Sequence, residues 1–325
     1  MESIIKKALI RTIKTYKIYR AFIIDGYRYQ KCHSHIYKLA NEERNMLLTS
    51  HALEKGMTFK KKKNNWGIQK SESLCASISS YTSNGGDNTD IISLALNVLE
   101  QYIKDPSVSI DSSSNKRIQE LLYMHREKLG EIRAGAKKTA EPPLFDTKAI
   151  KEFLFSRQSI RTYSKETITQ ENIKNALEVA ACTPTACNRQ TSKVYAFQQK
   201  EKIKQILDLQ KGGQGWCESA NTLFIVTGVL TYFAGIYERT QIYVDGGLFA
   251  MNLVYGLHLQ HIASCFKMFV RDPDVMSQFR EICLIPENEE PIVLILAGHY
   301  PKEETTNPVS HRFPVKCVLD GKELN

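Results

Sequence analysis

Two arginines and a serine fall within five residues at Arg157-Gln158-Ser159-Ile160-Arg161, directly after the apolar run Phe153-Leu154-Phe155. A guanidinium presents several fixed donors and never loses its charge, and a serine hydroxyl adds one more donor. That chemistry suits a phosphate. It equally suits a basic surface turn whose arginines pair with carboxylates. Two later segments carry related chemistry: Thr183-Pro184-Thr185-Ala186-Cys187-Asn188-Arg189-Gln190, and His311-Arg312-Phe313-Pro314 near the C-terminus. Taken alone, Pro184 only ends a helix and Asn188 only turns a loop.

Other residues point to weaker alternatives. Ser159 lies in no nucleophile-elbow pattern, so acyl transfer is not expected. Cys265 has nothing adjacent in sequence to lower its pKa and reads as a structural thiol. Cys32-His33-Ser34-His35 lacks the spaced second half of a zinc site, and His258 and His261 read as a helix-end pair, so no metal is expected. Gly212-Gly213-Gln214-Gly215 lacks the G-x-G-x-x-G spacing of a dinucleotide-binding turn.

The chain has 325 residues, 42% hydrophobic and 24% charged, as in a globular protein. No apolar run approaches the roughly 20 residues of a membrane-spanning helix. Eight scattered cysteines and no secretion-signal pattern lead to the expectation of reduced thiols in a cytoplasm. The net charge of +9 belongs to the front: residues 1–70 hold 16 Lys+Arg against 5 Asp+Glu, and the remainder hold 28 against 30. Such asymmetry fits a contact with an anionic partner. The run Lys60-Lys61-Lys62-Lys63 lacks interleaved aromatics and arginines, so it reads as a solvated loop, and no nucleic-acid partner is expected.

The elements that must position these residues follow from periodicity. Residues 4–20 read as an amphipathic helix, with Ile4, Ile5, Ala8, Leu9, Ile13 and Tyr16 on one side and Lys6, Lys7, Arg11, Lys14 and Lys17 on the other, although Ile10 and Ile18 fall on the polar side. Such a helix packs on its own protein or lies on an anionic membrane surface. A helix over 41–57 stops at Gly56, and 77–90 reads as a flexible polar loop. Asp90 caps a helix over 91–103, another runs over about 116–134, and 136–143 with Pro142-Pro143 is a linker. Beyond it, Thr169 caps a helix to about Cys182, 194–197 is a strand, and Leu223 to Gly228 is a strand covered on both faces. Asp245 to Leu257 is a helix apolar almost all round, destined for a core or a subunit interface. Asp272-Pro273 opens another helix, and 292–297 is a further buried strand.

The ordered set R-x-S-x-R at Arg157 to Arg161, P-T-x-x-N-x-Q at Pro184 to Gln190, and a basic residue before a proline at Arg312 resembles the nitroreductase family. The resemblance runs from about residue 150 to about 320. It implies an α+β, nitroreductase-like fold: a central, mostly antiparallel sheet flanked by helices, here preceded by a mainly helical N-terminal region. It also implies FMN held between the subunits of a homodimer, with NADH or NADPH as reductant. By that resemblance Arg157, Gln158 and Ser159 meet the ribityl phosphate, Arg312 closes over it, and Arg161 sits beside the flavin pyrimidine ring. Asn188 bonds the ring edge, the loop of Pro184, Thr185, Ala186 and Gln190 reaches the flavin from the partner subunit, and Ala263, Ser264 and Cys265 lie near N5 and O4. Many family members carry glycine where this chain has Cys187.

The expected organisation is a basic helical region over 1–140, of unassigned role, and an FMN-binding domain over 145–325. The expected function is hydride transfer from NAD(P)H through flavin to a small electron-poor acceptor such as a nitroaromatic or quinone. The alternatives are a redox step on a dedicated biosynthetic intermediate (a sugar or peptide) and a non-catalytic flavin-binding adaptor. The segment from Thr231 to Tyr243 is expected to cover the pocket.

Overall fold

Leu223-Phe224-Ile225-Val226 lies in the second of four strands: β1 (Ser192–Phe197), β2 (Thr222–Val229), β3 (Ile262–Met268) and β4 (Glu289–His299). In a computed structural model, which describes residues 2–109, 113–128, 132–210, 215 and 218–314, they join in the order β1-β2-β4-β3, every pair antiparallel. Successive side chains on a strand take opposite faces. Leu223 and Ile225 therefore meet α8 (Lys200–Leu209) and α10 (Pro273–Cys283) through Ile203, Ile206 and Phe279. Phe224 and Val226 meet α7 (Gln170–Ala181) and α9 (Gln241–Leu259) through Ala176, Leu253 and Leu257. Each such side chain contributes roughly 1.5–3 kcal/mol by leaving water. The α+β architecture, antiparallel sheet and flanking helices agree with expectation.

β4 starts three residues before the expected strand, at Glu289-Glu290-Pro291. Two carboxylates and a proline disfavour a buried strand, and the expected strand begins only after them. Their partners come from distant sequence. Glu289 accepts from Thr227 Oγ1 at 2.7 Å and Tyr195 Oη at 3.0 Å, with Lys193 Nζ at 3.1 Å. Glu290 is ringed by Arg28, Arg271 and Arg280. Pro291 sits where the β2–β4 register shifts between Val226 and Thr227.

The N-terminal region is helical, as expected. α2 (Lys38–Met57), α3 (Ile68–Ser83), α4 (Thr89–Ile103) and α5 (Ser113–Met124) enclose a second core around Met46, Leu53, Leu74, Leu96 and Tyr102. Several boundaries differ from the sequence reading. The helix expected over 4–20 is α1 (Glu2–Cys32), longer by more than three turns. Much of the expected loop over 77–90 is α3, whose Leu74, Cys75, Ile78 and Tyr81 are buried at helical spacing; serine content masked that period. Asn88, not Asp90, caps α4 by accepting from Ile91 N. Gly56 does not stop α2. It lies inside the helix, where an added Cβ would stand 2.1 Å from the Trp66 ring. Lys62 is not solvated either: it pairs with the buried Asp105 and lies over the Trp66 ring. Residues 136–146 are exposed and carry no regular structure before α6 (Thr147–Ser156). Gly212 to Gln214 and residues 129–131 lie outside the described residues; residues 132–134, expected to end a helix, carry no regular structure.

Two local geometries carry predictions. α7 and α9 meet backbone to backbone at Gly256, where an added Cβ would lie 2.6 Å from Ala176 O and 2.8 Å from its Cα. Backbone atoms cannot yield as a flexible side chain does, so Gly256→Ala should cost about 1–3 kcal/mol in denaturant unfolding; an unchanged midpoint contradicts the close approach. After α7, the loop places Cys187, Asn188 and Gln190 at φ 52°, 52° and 50°. Left-handed backbone costs a non-glycine residue about 1–2 kcal/mol. Cys187→Gly should relieve that strain and, after glycine's own entropy cost, gain up to ~1 kcal/mol; a loss of stability in thermal unfolding counts against it.

Candidate functional site

α6 delivers the arginine cluster. Asp146 caps its start by accepting from Lys148 N and Ala149 N. At its other end, Ser156 Oγ lies 2.8 Å from His258 Nε2 on α9, and the Phe153 and His258 rings stand 4.9 Å apart. The chain then turns extended at Arg157 and runs along the open edge of β3. Ser159 bridges Ser264 in parallel register, and Ile160 N donates to Ser264 O at 3.0 Å. The Tyr163 hydroxyl, buried, lies 2.7 Å from Ile160 O and 3.2 Å from Leu296 O. Its ring lies flat on β4 because position 298 is glycine; a Cβ there would meet Tyr163 Cβ at 2.7 Å.

This docking brings Arg157, Ser159, Arg161, Ala263, Ser264 and Cys265 to one corner. Arg161 Nη1 donates to Ser159 O at 3.1 Å, which holds its guanidinium beside the bridge. Arg157 is half-buried and makes no hydrogen bond or ion pair with any described residue. Its field nevertheless reaches its neighbours. Burial pushes the Cys265 thiol up, against the pull of Arg161, Ser159 and Arg157. Burial pulls His258 down, and Arg157 adds to that shift. Both groups are therefore neutral at pH 7, and the charge of the corner comes from the two arginines. Gln158 is exposed on the same turn.

The second motif lies elsewhere. Ala186 N donates to the buried carboxylate of Asp245 at 3.1 Å, and Asn252 Nδ2 donates to Thr183 Oγ1 at 2.7 Å. The segment from Thr183 to Gln190 thus rests on α9 at Asp245 and Asn252, whereas the arginine corner rests on its last turn. Asp245 and His258 are thirteen residues apart on that helix, about 20 Å at 1.5 Å per residue. The sheet gives the same distance. Ser192, which follows the loop, pairs with Gly228 at one end of β2, whereas Ser264 pairs with Ala297, itself opposite Thr222 at the other. Six residues of strand are again about 20 Å. Within one chain the two motifs do not meet. Arg312 does not join either: it is exposed, and its Nη1 donates to Ser310 O at 2.7 Å.

Arg189 is the residue sequence reasoning passed over, though it stands inside the quoted loop. It is 1% exposed. Its Nε donates to Ala186 O at 2.9 Å, its Nη1 to Tyr232 O at 2.8 Å, and Nη1 and Nη2 grip Glu238 at 2.8 and 3.1 Å. The Phe233 ring lies 4.8 Å beneath. This fork fixes the loop's shape and ties it to the segment after β2. No sequence signal links Arg189 to Glu238, 49 positions on.

The segment expected to cover a pocket, Thr231 to Tyr243, is gripped from outside by the N-terminal region. Tyr232 Oη donates to Glu43 at 2.7 Å, Arg44 Nη1 to Thr231 O at 3.4 Å and Tyr29 Oη to Gly235 O at 2.8 Å, and His33 Nε2 meets Phe233 O. Tyr237 is exposed, whereas Phe233 is core.

Comparison with known proteins bears on the same stretch. Residues 154–214 match the model of the nitroreductase family. A curated relative, the FMN reductase [NAD(P)H] of Bacillus subtilis (strain 168), is 30% identical over 105 residues, 32% of this chain. The chain spans only 39% of that relative's length. Among solved structures, a nitroreductase family protein from Clostridium difficile 630 is 23% identical at TM-score 0.45, over 53% of this chain and 96% of its own. A nitroreductase with bound FMN from Bacteroides fragilis NCTC 9343 is 19% identical at TM-score 0.39, over 51% of this chain and 98% of its own. Residues 154–214 are thus similar in sequence to the nitroreductase family.

Proposed function

We propose that the chain is an FMN-dependent NAD(P)H oxidoreductase that works as a homodimer, each site built from both subunits. The observation that carries the reading is Arg157: a half-buried guanidinium without an anionic partner among the described residues, beside the Ser159–Ser264 bridge. A cation so placed fits an external phosphate, and a charge-assisted hydrogen bond is roughly twice as strong as a neutral one. Ser159 and Gln158 add donors on the same turn. Arg161, held by the Ser159 carbonyl, presents a second positive charge on the side of Ser264 and Cys265. The donor set therefore fits the ribityl phosphate and the electron-rich ring edge of FMN.

Bound FMN would supply two-electron chemistry, accepting hydride from NADH or NADPH and delivering it to an electron-poor acceptor such as a nitroaromatic or quinone. The chain's own residues bind and orient. Arg157 and Ser159 hold the phosphate, and Arg312 is the further cation that closure of the C-terminal segment would add. Arg161 stabilises negative charge on the reduced ring, which tunes the group's electronics. Cys265, kept protonated by burial, takes no part as a nucleophile.

The separation of about 20 Å within one chain supports the two-subunit site, because Asn188 and Gln190 must then come from a partner. α9 supports it independently. Val244 and Leu248 are 52% and 50% exposed on the same side as Met251 and Tyr255, an apolar stripe left by a helix otherwise packed on the sheet. A second reading, a dedicated acceptor of defined shape, is favoured by the N-terminal clamp on residues 231–238. A restrained cover admits fewer shapes than a free one.

Two measurements test the reading. Arg157→Ala should weaken FMN binding by about ten- to a hundredfold, the ~1.5–3 kcal/mol of a hydrogen bond to a charged group. Flavin fluorescence titration reads it, and an unchanged affinity removes Arg157 from the site. Mixing Arg157→Ala chains with Asn188→Ala/Gln190→Ala chains after unfolding and refolding should restore about a quarter of the wild-type sites, since half of the random dimers carry one intact site in two. No recovery beyond the separate homodimers contradicts a shared site.

A further inference from the structure

α1 has an apolar stripe that no described residue covers. Ile5, Leu9, Ile13, Tyr16, Ile23 and Tyr27 recur at three, four and seven residues, so they lie along one side of the helix. All are exposed, from 46% at Ile13 to 70% at Tyr27. The stripe is not the docking face. α1 is anchored through Arg28 to Glu290 and through Cys32, which is buried against Leu230, Phe233 and Ile242. On the helical wheel those two residues stand well away from the stripe; Arg20 and Lys31, which also pair with the body, lie on its side, but the six stripe residues themselves are exposed. The anchor nearest the N-terminus is Arg20, paired with Asp274 at 2.7 Å. Before it, no described residue of α1 makes a hydrogen bond or ion pair with the body, yet the helix continues back to Glu2.

The charge on this free arm is one-sided. Lys6, Lys7, Arg11, Lys14 and Lys17 form no ion pair among the described residues, whereas Arg20, Arg28 and Lys31 are each paired to the body. No acidic residue occurs from residue 3 to residue 24. A second copy of α1 packed on the stripe would gather like charges and find no carboxylate for the flanking pairs that stabilise coiled coils. A surface carrying phosphate answers both features. Apolar side chains enter the acyl boundary, tyrosines suit the polar–apolar interface, and the long cationic side chains of the polar face reach the headgroups. Among the described residues no helix is long and apolar enough to cross a membrane, so the mode is lying on it.

We propose that α1 docks the protein on an anionic lipid surface, stripe inward, with the five unpaired cations of its first half at the headgroups. The inference stands apart from the flavin reading, since none of these residues touches the arginine corner. The test is sedimentation of the full chain with phosphatidylcholine vesicles, with and without about 30 mol% phosphatidylserine, at about 0.05 M and 0.5 M salt. The expected result is binding at least about tenfold tighter to the anionic vesicles, lost at high salt. Leu9→Ser/Ile13→Ser/Ile23→Ser and Lys7→Glu/Lys14→Glu/Lys17→Glu should each abolish it, with circular dichroism and sedimentation coefficient unchanged. Equal binding to neutral vesicles, or none to either, overturns the proposal. So does an apolar triple variant that lowers the oligomeric state, which would assign the stripe to a second copy.

Discussion

α9 fixes a distance that the rest of the molecule must obey. It is a straight run of 19 residues buried along one side against β2, β3 and β4. Its first turns hold the Pro184–Gln190 loop through Asp245, and its last turn holds the arginine corner through His258. A helix so packed does not shorten. Two motifs attached about 20 Å apart therefore belong to one ligand only across a subunit boundary. The exposed stripe of Val244 and Leu248 lies on the side of α9 that a partner would cover, which makes one helix both the spacer and the seam of the proposed dimer.

The N-terminal helices change what the loop after β2 can do. Arg189 ties the 184–190 loop to Glu238, and Glu238 also accepts from Ala234 N at 2.6 Å. Burial would raise the Glu238 carboxyl, but hydrogen bonds from Arg189 and Ala234 hold it below the usual range, so it stays ionised at neutral pH. Glu43, Arg44, Tyr29 and His33 then grip the same segment from the N-terminal side. A chain of contacts thus runs from α2 to the loop proposed to reach the cofactor. Removing one partner of a buried, hydrogen-bonded ion pair costs about 3–5 kcal/mol. The segment over the proposed cleft is accordingly a fixed wall, and specificity in acceptor choice follows more readily from a wall than from a mobile lid.

Periodicity and apolar runs made α9 and three of the four strands legible, whereas β3 was not read as a strand. Leu223 to Val226 reads as a strand covered twice because no polar residue interrupts it, and the structure buries alternate residues against different helix pairs. Thr169 was legible as a cap because a side-chain oxygen before a helix has one main use, and Asp272-Pro273 as a helix start because proline is tolerated at the first position. What sequence hid was whatever depends on distant partners. Glu289 and Glu290 stood outside the expected strand, because only Lys193, Tyr195 and three arginines from distant sequence make their burial possible. Lys62 read as solvated because Asp105, 43 positions away, was unknown as its partner. In the candidate site, residue types and order were readable, whereas the spacing between motifs and the role of Arg189 were not. Both are set by packing on α9 and by Glu238, and neither leaves a local trace.

The front half's surplus charge divides by use. Arg28 faces inward on Glu290 with Arg271 and Arg280, and there the cost of burying a carboxylate is met by three guanidiniums at the α1 seam. Asp25 sits beside that cluster, its carboxyl pushed up by burial and by Glu290. A seam of this kind specifies where α1 leaves the body and in which rotational setting. That setting turns Ile23 and Tyr27 outward, and an unbroken helix carries the same side back to Ile5. The free cations of the first half are thus not an arbitrary basic tail. Their position around the apolar stripe is dictated, across seven turns of helix, by the buried ion pairs at the other end.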